Sequence, residues 1–331
     1  MAKLKSLQTT IDTFVRSIEE ELERFEFGNN PKELYEPIRY ILNIGGKRLR
    51  PVLTLLAYNL FKNDTNLITL PAAAVEAFHN FTLLHDDIMD EAPIRRGKVT
   101  VHEKWNKNTA ILSGDVMLVR VYDMFLDVDS RLLPTVIKKF NKCAAGVCEG
   151  QQLDMIFENR LDVTEAEYLD MIRLKTAVLL GFSLELGGML AEADDQICQI
   201  LYDVGVNAGI GFQLKDDLLD VYADSSKFGK RIGGDILADK KTFLLIKALE
   251  ISKGSEKNEL LEWIGNNSGD DSKKIDGVKN IYNSLDIKRI TEAKMNHYFD
   301  SALGKLNKLK VDDQLKIPLK EFIQNLINRE K

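Results

Sequence analysis

Hydrophobic residues recur at helical spacing along almost the whole chain, and strand-type alternation is nearly absent. Prolines stand where several helices would begin, at Pro31, Pro51, Pro71 and Pro134, because proline is tolerated in the first helical turn. The pattern therefore predicts an all-α fold. The predicted helices lie at roughly 6–25, 32–44, 50–62, 68–90, 108–127, 131–158, 165–190, 194–221, 239–252, 257–265, 275–301 and 305–329.

Three polar segments interrupt the helical pattern, at residues 91–104, 223–238 and 252–275. None has the length and composition of a flexible linker, and no repeat of solenoid period is evident. We therefore expect one domain that spans residues 1–331.

Composition narrows the class of protein. With 331 residues, 44% hydrophobic and 29% charged, the chain is typical of soluble globular proteins. The net charge of −6 argues against nucleic acid or an anionic membrane as the main partner. The 3 cysteines show no CxxC spacing, the first residues lack an apolar signal core, and no stretch approaches about twenty apolar residues. We expect a cytoplasmic protein without an integral membrane segment.

The acidic pattern DDxxD occurs twice, at residues 86–90 and 216–220, each time near the end of an apolar predicted helix. Its first and last aspartates share one helix face, where like charges cost a few tenths of a kcal/mol. The helix dipole also disfavours negative charge there. One such cluster could be a solvated acidic face, but two favour Mg²⁺, which is usually held through a few carboxylates, phosphate oxygens and water. The candidate metal ligands are Asp86, Asp87, Asp90, Asp216, Asp217 and Asp220.

Basic residues form two clusters around the first acidic one. Residues 45–51 read Gly-Gly-Lys-Arg-Leu-Arg-Pro, a glycine turn before a helix start, which is typical of a phosphate site. Residues 95–98, Arg-Arg-Gly-Lys, follow the first DDxxD within one loop and suggest the other end of a metal-bridged diphosphate. Exposed basic turns are the alternative interpretation. His85 beside the first cluster raises a metal phosphohydrolase as another alternative, although the chain has only 4 histidines.

Taken together, these motifs resemble those of the trans-type isoprenyl diphosphate synthases, or polyprenyl synthetases, over nearly the whole chain. Their order and spacing match as well as their residues. The matching segments are residues 45–51, His79, residues 84–90, residues 95–97, Gly114-Asp115, Gly150-Gln151, Lys175-Thr176, residues 213–220 and Gly229-Lys230.

The resemblance implies a role for each matching residue. Asp86, Asp90 and Asp216 would hold about three Mg²⁺ ions, or Mn²⁺ instead, against an allylic diphosphate, supported by Asp87, Asp217 and Asp220. The same diphosphate would contact Arg95, Lys175, Lys230 and Lys240. Isopentenyl diphosphate would be held by Lys47, Arg50, His79 and Arg96. Thr176 and Gln213 would lie near the developing cation.

The implied fold is a single large helical bundle around a deep central cavity, usually as a homodimer. The implied reaction ionises the allylic diphosphate, condenses the cation head-to-tail with isopentenyl diphosphate and releases diphosphate, to which the proton can pass. Water must be excluded because it would trap the cation. We expect the 223–238 segment to act as a lid.

Residues upstream of the first cluster predict the product length. By the resemblance, Phe81, Thr82 and Phe78 floor the cavity, and an aromatic five residues before Asp86 with a small residue at four is the geranylgeranyl pattern. Farnesyl diphosphate is the alternative product. A plain core phenylalanine is the alternative for Phe81, since helical geometry aligns Thr82 better with Asp86.

Two other functions fit parts of the pattern. A class I terpene cyclase also ionises a prenyl diphosphate on a DDxxD helix, but it needs no isopentenyl site. A non-catalytic subunit of a heteromeric synthase tends to lose one aspartate cluster, and both are intact here.

Overall fold

The computed structural model describes residues 7–223, 233–265 and 270–328. The described helices are α1 (Leu7–Arg24), α2 (Lys32–Asn43), α3 (Leu49–Tyr58), a 3₁₀ turn (Thr65–Ile68), α4 (Thr69–Met89), α5 (Val101–Lys104), α6 (Lys107–Phe125), α7 (Leu133–Glu158), α8 (Glu165–Ile172), a π-helix (Arg173–Ala177), α9 (Val178–Leu190), α10 (Asp195–Tyr222), α11 (Gly234–Leu237), α12 (Phe243–Ile251), α13 (Gly254–Trp263), α14 (Asp271–Ser284), α15 (Ile287–Asn307) and α16 (Asp313–Asn328). The prediction of an all-α fold is confirmed.

Within the described ranges, the strands are β1 (Ile94–Arg95) and β2 (Lys98–Val99), which pair antiparallel in the segment predicted to interrupt the helices. Arg96 and Gly97 make the turn between them with φ angles of 52° and 75°. Gly97 adopts this left-handed conformation without steric cost, whereas Arg96 does not. The hairpin therefore fixes two of the predicted diphosphate ligands, Arg95 and Arg96, at a tight turn.

Several predicted helix boundaries were wrong. The helix predicted at 275–301 is two helices, α14 and α15. Asp286 between them takes a left-handed φ of 56°, which interrupts the helical backbone. The break predicted between 301 and 305 is absent, and α15 continues to Asn307. The helix predicted at 165–190 contains the π-helical turn, and the one predicted at 239–252 starts only at Phe243.

The chain divides into two compact units. Unit 1 comprises Met1–Lys142, Phe182–Tyr202 and Lys310–Leu319, and unit 2 comprises Cys143–Gly181, Asp203–Leu309 and Lys320–Lys331. Each unit is described by itself below. The single domain over residues 1–331 stays a prediction.

An aromatic core lies inside unit 1. Phe78 of α4 packs edge-on against Phe140 of α7 with ring centroids 5.0 Å apart, and Phe140 also contacts Phe125 and Phe182. All four rings are nearly inaccessible to solvent. Burial of such large side chains contributes about 1.5–3 kcal/mol each, so this cluster anchors the helix that carries the first DDxxD.

By length and composition alone, one stretch of the described residues, Thr65–Met89, could cross a membrane. We expected no apolar stretch of that length. Within the protein, 72% of its most apolar window is buried, as in the core helix of a globular unit. Such a helix is weak evidence for a membrane span.

A column of glycines brings two segments of unit 2 close together. Gly205 and Gly209 of α10 face the backbone around Leu180 and Ala177, and a Cβ on Gly209 would come within 2.6 Å of the Ala177 Cα. Side chains spaced by four residues share one helix face. Gln213 and Asp217 continue the same face of α10, so close packing directs them to the π-helical segment.

Candidate active site

The first acidic cluster lies on the last turn of α4 in unit 1. Asp90 is the C-cap of the helix, where no favourable interaction with the helix dipole explains its charge. The side chain of Asp86 is 20% exposed and Asp90 is exposed, whereas Asp87 is buried. The two outer carboxylates are therefore at least partly accessible to solvent, and the middle one faces the protein.

Asp87 forms an ion pair with Arg95 of the hairpin. Both the Nε and the Nη2 of Arg95 approach Asp87 Oδ1, at 2.7 and 2.6 Å, and Nη2 lies 3.6 Å from Asp86 Oδ2. Burial raises the pKa of Asp87, and Arg95 opposes that increase. Asp87 thus orients the guanidinium that was predicted to contact the allylic diphosphate.

The basic turn before α3 is anchored by an arginine that was not predicted as a ligand. Arg48 is buried, donates to Glu76 Oε1 at 2.9 Å and to the Leu42 carbonyl at 2.8 Å, and holds a left-handed φ of 48°. A buried, hydrogen-bonded ion pair of this kind fixes the backbone around it. Nearby, Lys47 is exposed and Arg50 is half-buried. Both can therefore reach a ligand, as the prediction that they bind diphosphate requires.

Arg96 lies against this basic turn. Its guanidinium donates to the Gly45 carbonyl, and a Cβ on Gly46 would overlap it. Burial together with Arg50 and Arg96 holds the pKa of His79 well below its usual range. A neutral imidazole can both donate and accept a hydrogen bond. The structure therefore brings together three of the residues predicted for isopentenyl diphosphate, Arg50, His79 and Arg96.

His85 joins the first cluster to α6. Its Nε2 lies 3.1 Å from the Ile111 carbonyl, and a Cβ on Gly114 would overlap the ring. This contact explains the Gly114 of the Gly-Asp motif, because no larger residue leaves room for the imidazole. His85 therefore packs against α6. The sequence had favoured a structural role for it over a metal-ligand role, because the chain has too few histidines for a phosphohydrolase site.

The three predicted chain-length residues lie in a row on α4. Phe81 is buried, with its ring 4.8 Å from His85 and 5.7 Å from Phe78. The Thr82 hydroxyl donates to the His79 carbonyl at 2.8 Å. Their role in setting product length stays a prediction.

The second acidic cluster, in unit 2, repeats the arrangement of the first. Asp216 and Asp220 are partly exposed, whereas Asp217 is 3% exposed. Burial raises the pKa of Asp217 to about 7. Burial and the nearby Asp235 raise that of Asp220 to about 6, although Asp220 Oδ2 accepts from the Asp235 amide at 3.0 Å.

The buried Asp217 carboxylate accepts three hydrogen bonds. Its Oδ2 accepts from the Tyr168 hydroxyl and from the Phe243 amide at 3.3 Å, and its Oδ1 accepts from Gln213 Nε2 at 3.2 Å. Tyr168 is itself buried. Sequence analysis missed Tyr168, since a lone tyrosine on a helix has no distinguishing local pattern.

Lys175 and Thr176 lie in the π-helical turn. Such turns are rare and occur frequently at functional sites. A Cβ on Gly150 of α7 would overlap the Lys175 backbone, so the turn is packed tightly against that helix. Thr176 donates to Gln213 Oε1 at 3.2 Å, which joins two residues predicted to lie near the developing cation.

Asp154 lies within ion-pair distance of two predicted diphosphate ligands. The sequence analysis did not predict it as a site residue. Its Oδ2 lies 2.6 Å from Lys175 Nζ and 3.9 Å from Lys240 Nζ. Burial opposes ionisation, but Lys240 and Lys175 hold the pKa of Asp154 below its usual range. Asp154 shares a helix face with Gly150, four residues earlier, a spacing that could have signalled it. Lys230, predicted as a further ligand, lies outside the described residues.

No group of three or more His, Cys, Asp or Glu side chains converges on a ready-made metal site in the part of the chain that the structure describes. Mg²⁺ usually takes one or two carboxylates and completes its shell with water and substrate phosphates. The partly exposed Asp86, Asp90, Asp216 and Asp220 have the chemistry for such a site. Asp87 and Asp217 are buried, and Asp87 Oδ1 and both oxygens of Asp217 accept hydrogen bonds from the protein, so neither presents an exposed carboxylate.

Comparison with known proteins places these residues in a family. The sequence profile of the polyprenyl synthetase family matches residues 31–285. A geranylgeranyl diphosphate synthase of Sulfolobus acidocaldarius is 41% identical over 259 residues, which cover 77% of this chain and 78% of that protein. A geranylfarnesyl diphosphate synthase of Aeropyrum pernix is 33% identical and covers 91% of this chain and 96% of its own.

A solved structure has the same fold. The crystal structure of a geranylgeranyl pyrophosphate synthase superposes with a TM-score of 0.91 at 40% identity, over 99% of this chain and 100% of that one. Because the match extends over nearly the whole of both chains, the likeness covers both units.

Proposed function

The chain belongs to the polyprenyl synthetase family, and from this premise we propose that it is a prenyltransferase that condenses isopentenyl diphosphate head-to-tail with an allylic prenyl diphosphate. The observation that carries the proposal is that solvent-accessible carboxylates occur beside cations: each of the two acidic clusters has nearby lysines or arginines that a protein carboxylate orients. The sequence motifs and the contacts of the described residues agree on this chemistry.

Isopentenyl diphosphate is proposed to bind the cations of the basic turn. Lys47 is exposed there, Arg50 is half-buried, and Arg96 is held against the turn by the Gly45 carbonyl. Bidentate arginines and a point-charge lysine are suited to diphosphate oxygens. His79, neutral at its lowered pKa, adds a hydrogen bond without a charge.

The allylic diphosphate is proposed to be held by Arg95, Lys175, Lys230 and Lys240. Asp87 orients Arg95, and Asp154 holds Lys175 and Lys240 near one point. Mg²⁺ bound by Asp86, Asp90 and Asp216, with Asp87, Asp217 and Asp220 in support, would supply charge neutralisation of the leaving group. Mn²⁺ is the alternative metal.

The residues of this chain then have distinct tasks. Preorganised cations stabilise the negative charge that develops as the allylic C–O bond breaks. Holding both substrates in near-attack geometry replaces a collision in water by a unimolecular step. Thr176 and Gln213 place oxygen atoms for the allylic cation, and the released diphosphate accepts the proton. No dedicated protein base is needed.

The product is proposed to be geranylgeranyl diphosphate. Phe81, with Phe78 behind it and Thr82 one residue on, forms the geranylgeranyl pattern, and a relative carries that name. Farnesyl diphosphate is the shorter alternative. The geranylfarnesyl name of another relative makes a longer product the second alternative.

We propose that the enzyme is a cytoplasmic homodimer. Its three cysteines, all within the described ranges, form no disulfide, as is usual in a reducing compartment. Three apolar side chains of α6 and its C-cap, Leu112, Val119 and Leu126, are 57–65% exposed at seven-residue spacing. A second copy of the chain would cover this row.

The decisive assay uses purified protein, isopentenyl diphosphate and each allylic primer in turn, with Mg²⁺ and with EDTA. We expect a twenty-carbon product after dephosphorylation as the main species with Mg²⁺ and none with EDTA. A cyclic hydrocarbon formed without isopentenyl diphosphate would indicate a terpene cyclase, and a free prenyl alcohol a phosphohydrolase. Turnover only after addition of a second protein would indicate a subunit of a heteromeric synthase.

A further inference from the structure

We propose that Tyr168 and Asp217 are positioning residues that orient Gln213 and Thr176 toward the allylic cation. The proposal rests on the proposed prenyltransferase function; it gives Tyr168 a task there and specifies how Asp217 supports the site. All four side chains belong to unit 2 and form one continuous row of hydrogen bonds.

The row begins at a buried acceptor. Asp217 accepts from Tyr168 and Phe243 on one oxygen and from Gln213 on the other, and the residue is 3% exposed. A carboxylate bound by three donors has one position and presents no open oxygen. It is therefore better suited to orienting its neighbours than to binding a metal ion.

The carboxylate decides which way the Gln213 amide points. In the structure Gln213 Nε2 donates to Asp217 Oδ1 at 3.2 Å, so the NH₂ of Gln213 faces Asp217 and its carbonyl oxygen faces away. That oxygen lies 3.2 Å from the Thr176 hydroxyl, which donates to it. The reversed amide would place an NH₂ before Thr176 and turn the hydroxyl proton elsewhere.

This order of donors matters for a cation. The Thr176 hydroxyl donates its proton in the hydrogen bond to Gln213. The lone pairs of its oxygen can therefore face a positive centre. A reversed hydroxyl would present its proton, the positive end of its dipole, to that centre. Preorganised dipoles of the right sign lower the barrier because they need no reorganisation during the reaction. Tyr168 fixes the carboxylate from which this order starts.

The test compares Tyr168→Phe with a matched control, Tyr282→Phe. Both tyrosines are buried in unit 2, and the hydrogen bonds of the described residues do not connect Tyr282 to Asp217. We expect the single-turnover rate of condensation to fall about tenfold in Tyr168→Phe, with KM for both substrates within about twofold of the wild type. Tyr282→Phe should keep the wild-type rate.

A double-mutant cycle separates positioning from a merely structural role. If Tyr168 acts through Thr176, its removal in a Thr176→Val background should change the rate by less than about twofold. Rate losses that multiply in the double variant would overturn the proposal, as would a wild-type rate in Tyr168→Phe. Urea unfolding of each variant checks that it is folded.

Asp217→Asn provides a second route if Tyr168→Phe does not fold. The asparagine is isosteric but can donate to Gln213, so we expect the same rate loss and the same non-additivity with Thr176→Val. An additive cycle here would also overturn the proposal. A wild-type protein that makes no product from both substrates would refute the proposed function instead, so the two failures are distinct.

Discussion

Phe81 is the residue on which the product-length proposal depends. It is buried beside His85, with Phe78 and then Phe140 behind it, so its removal opens space toward a second aromatic layer. We predict that Phe81→Ala lengthens the main product by at least one five-carbon unit. The truncation should cost about 3–5 kcal/mol of unfolding free energy if the cavity does not collapse.

The measurement is chromatography of dephosphorylated, labelled products. Phe322→Ala is a suitable control because it truncates a similarly buried phenylalanine in unit 2. The control should lose stability but keep the wild-type product. An unchanged product in folded Phe81→Ala would leave Phe81 an ordinary core residue.

Residue type alone did not separate the six aspartates of the two clusters. The sequence predicted all six as ligands or supports, but burial distinguishes Asp87 and Asp217 from the rest. That difference arises because the second position of DDxxD lies on the core side of its helix, where Arg95 or Tyr168 contacts it. Those partners come from distant parts of the chain, so local spacing cannot reveal them.

At the scale of elements, the packing of α4 against α6 depends on Gly114. A methyl group there would overlap the His85 ring, next to Asp86. We predict that Gly114→Ala displaces His85, shifts the first acidic cluster and lowers kcat/KM about tenfold or more. Urea unfolding should show that the variant loses about 1–3 kcal/mol of unfolding free energy relative to the wild type, because of overpacking.

Gly304→Ala is the matched control for that variant. It lies within α15, and a Cβ there would meet nothing within 4 Å. Alanine should therefore stabilise the helix by up to about 1 kcal/mol and leave activity unchanged. If Gly114→Ala were equally active and equally stable, the His85 contact would not constrain the cluster.

The helices were largely predictable from the sequence, but their irregularities were not. The 3.6-residue pattern located α4 and α10, which carry the acidic clusters, to within two residues. The π-helical turn at Arg173–Ala177 was not predicted, because it packs against Gly150 of another helix and local spacing does not show that contact. Likewise, helix α15 continues through Gly304, since exposed glycine is only mildly unfavourable in a helix.

At the scale of the whole molecule, the local arrangement of charged residues says more about function than the net charge does. The net charge of −6 gave no hint of an anionic ligand, yet cations and carboxylates alternate around both acidic clusters. Asp154 lies between Lys175 and Lys240, whose charges would otherwise repel each other, and Asp87 pairs with Arg95. Sequence spacing proposed which cations bind diphosphate, but it could not show which carboxylates orient them.

The apolar row on α6 supports the last prediction, that the protein is a dimer. Leu112, Val119 and Leu126 are separated by seven residues, which places them along one face as in helix–helix interfaces. Exposed apolar rows of this kind mark interaction sites, and two copies of one row can pair about a two-fold axis. A stable interface needs about 1,000 Å² or more of buried surface, so neighbouring residues must contribute.

Light scattering after gel filtration at micromolar concentration tests this arrangement. We expect a dimer for the wild type and a monomer for Val119→Glu, because a buried unpaired carboxylate at the centre of the row costs several kcal/mol. Leu67→Glu is the control, since Leu67 is equally exposed but lies in the 3₁₀ turn before α4. A monomeric wild type, or dimers of both variants, would show that the α6 row does not pair two copies. Dissociation of the control alone would place the interface at the start of α4 instead.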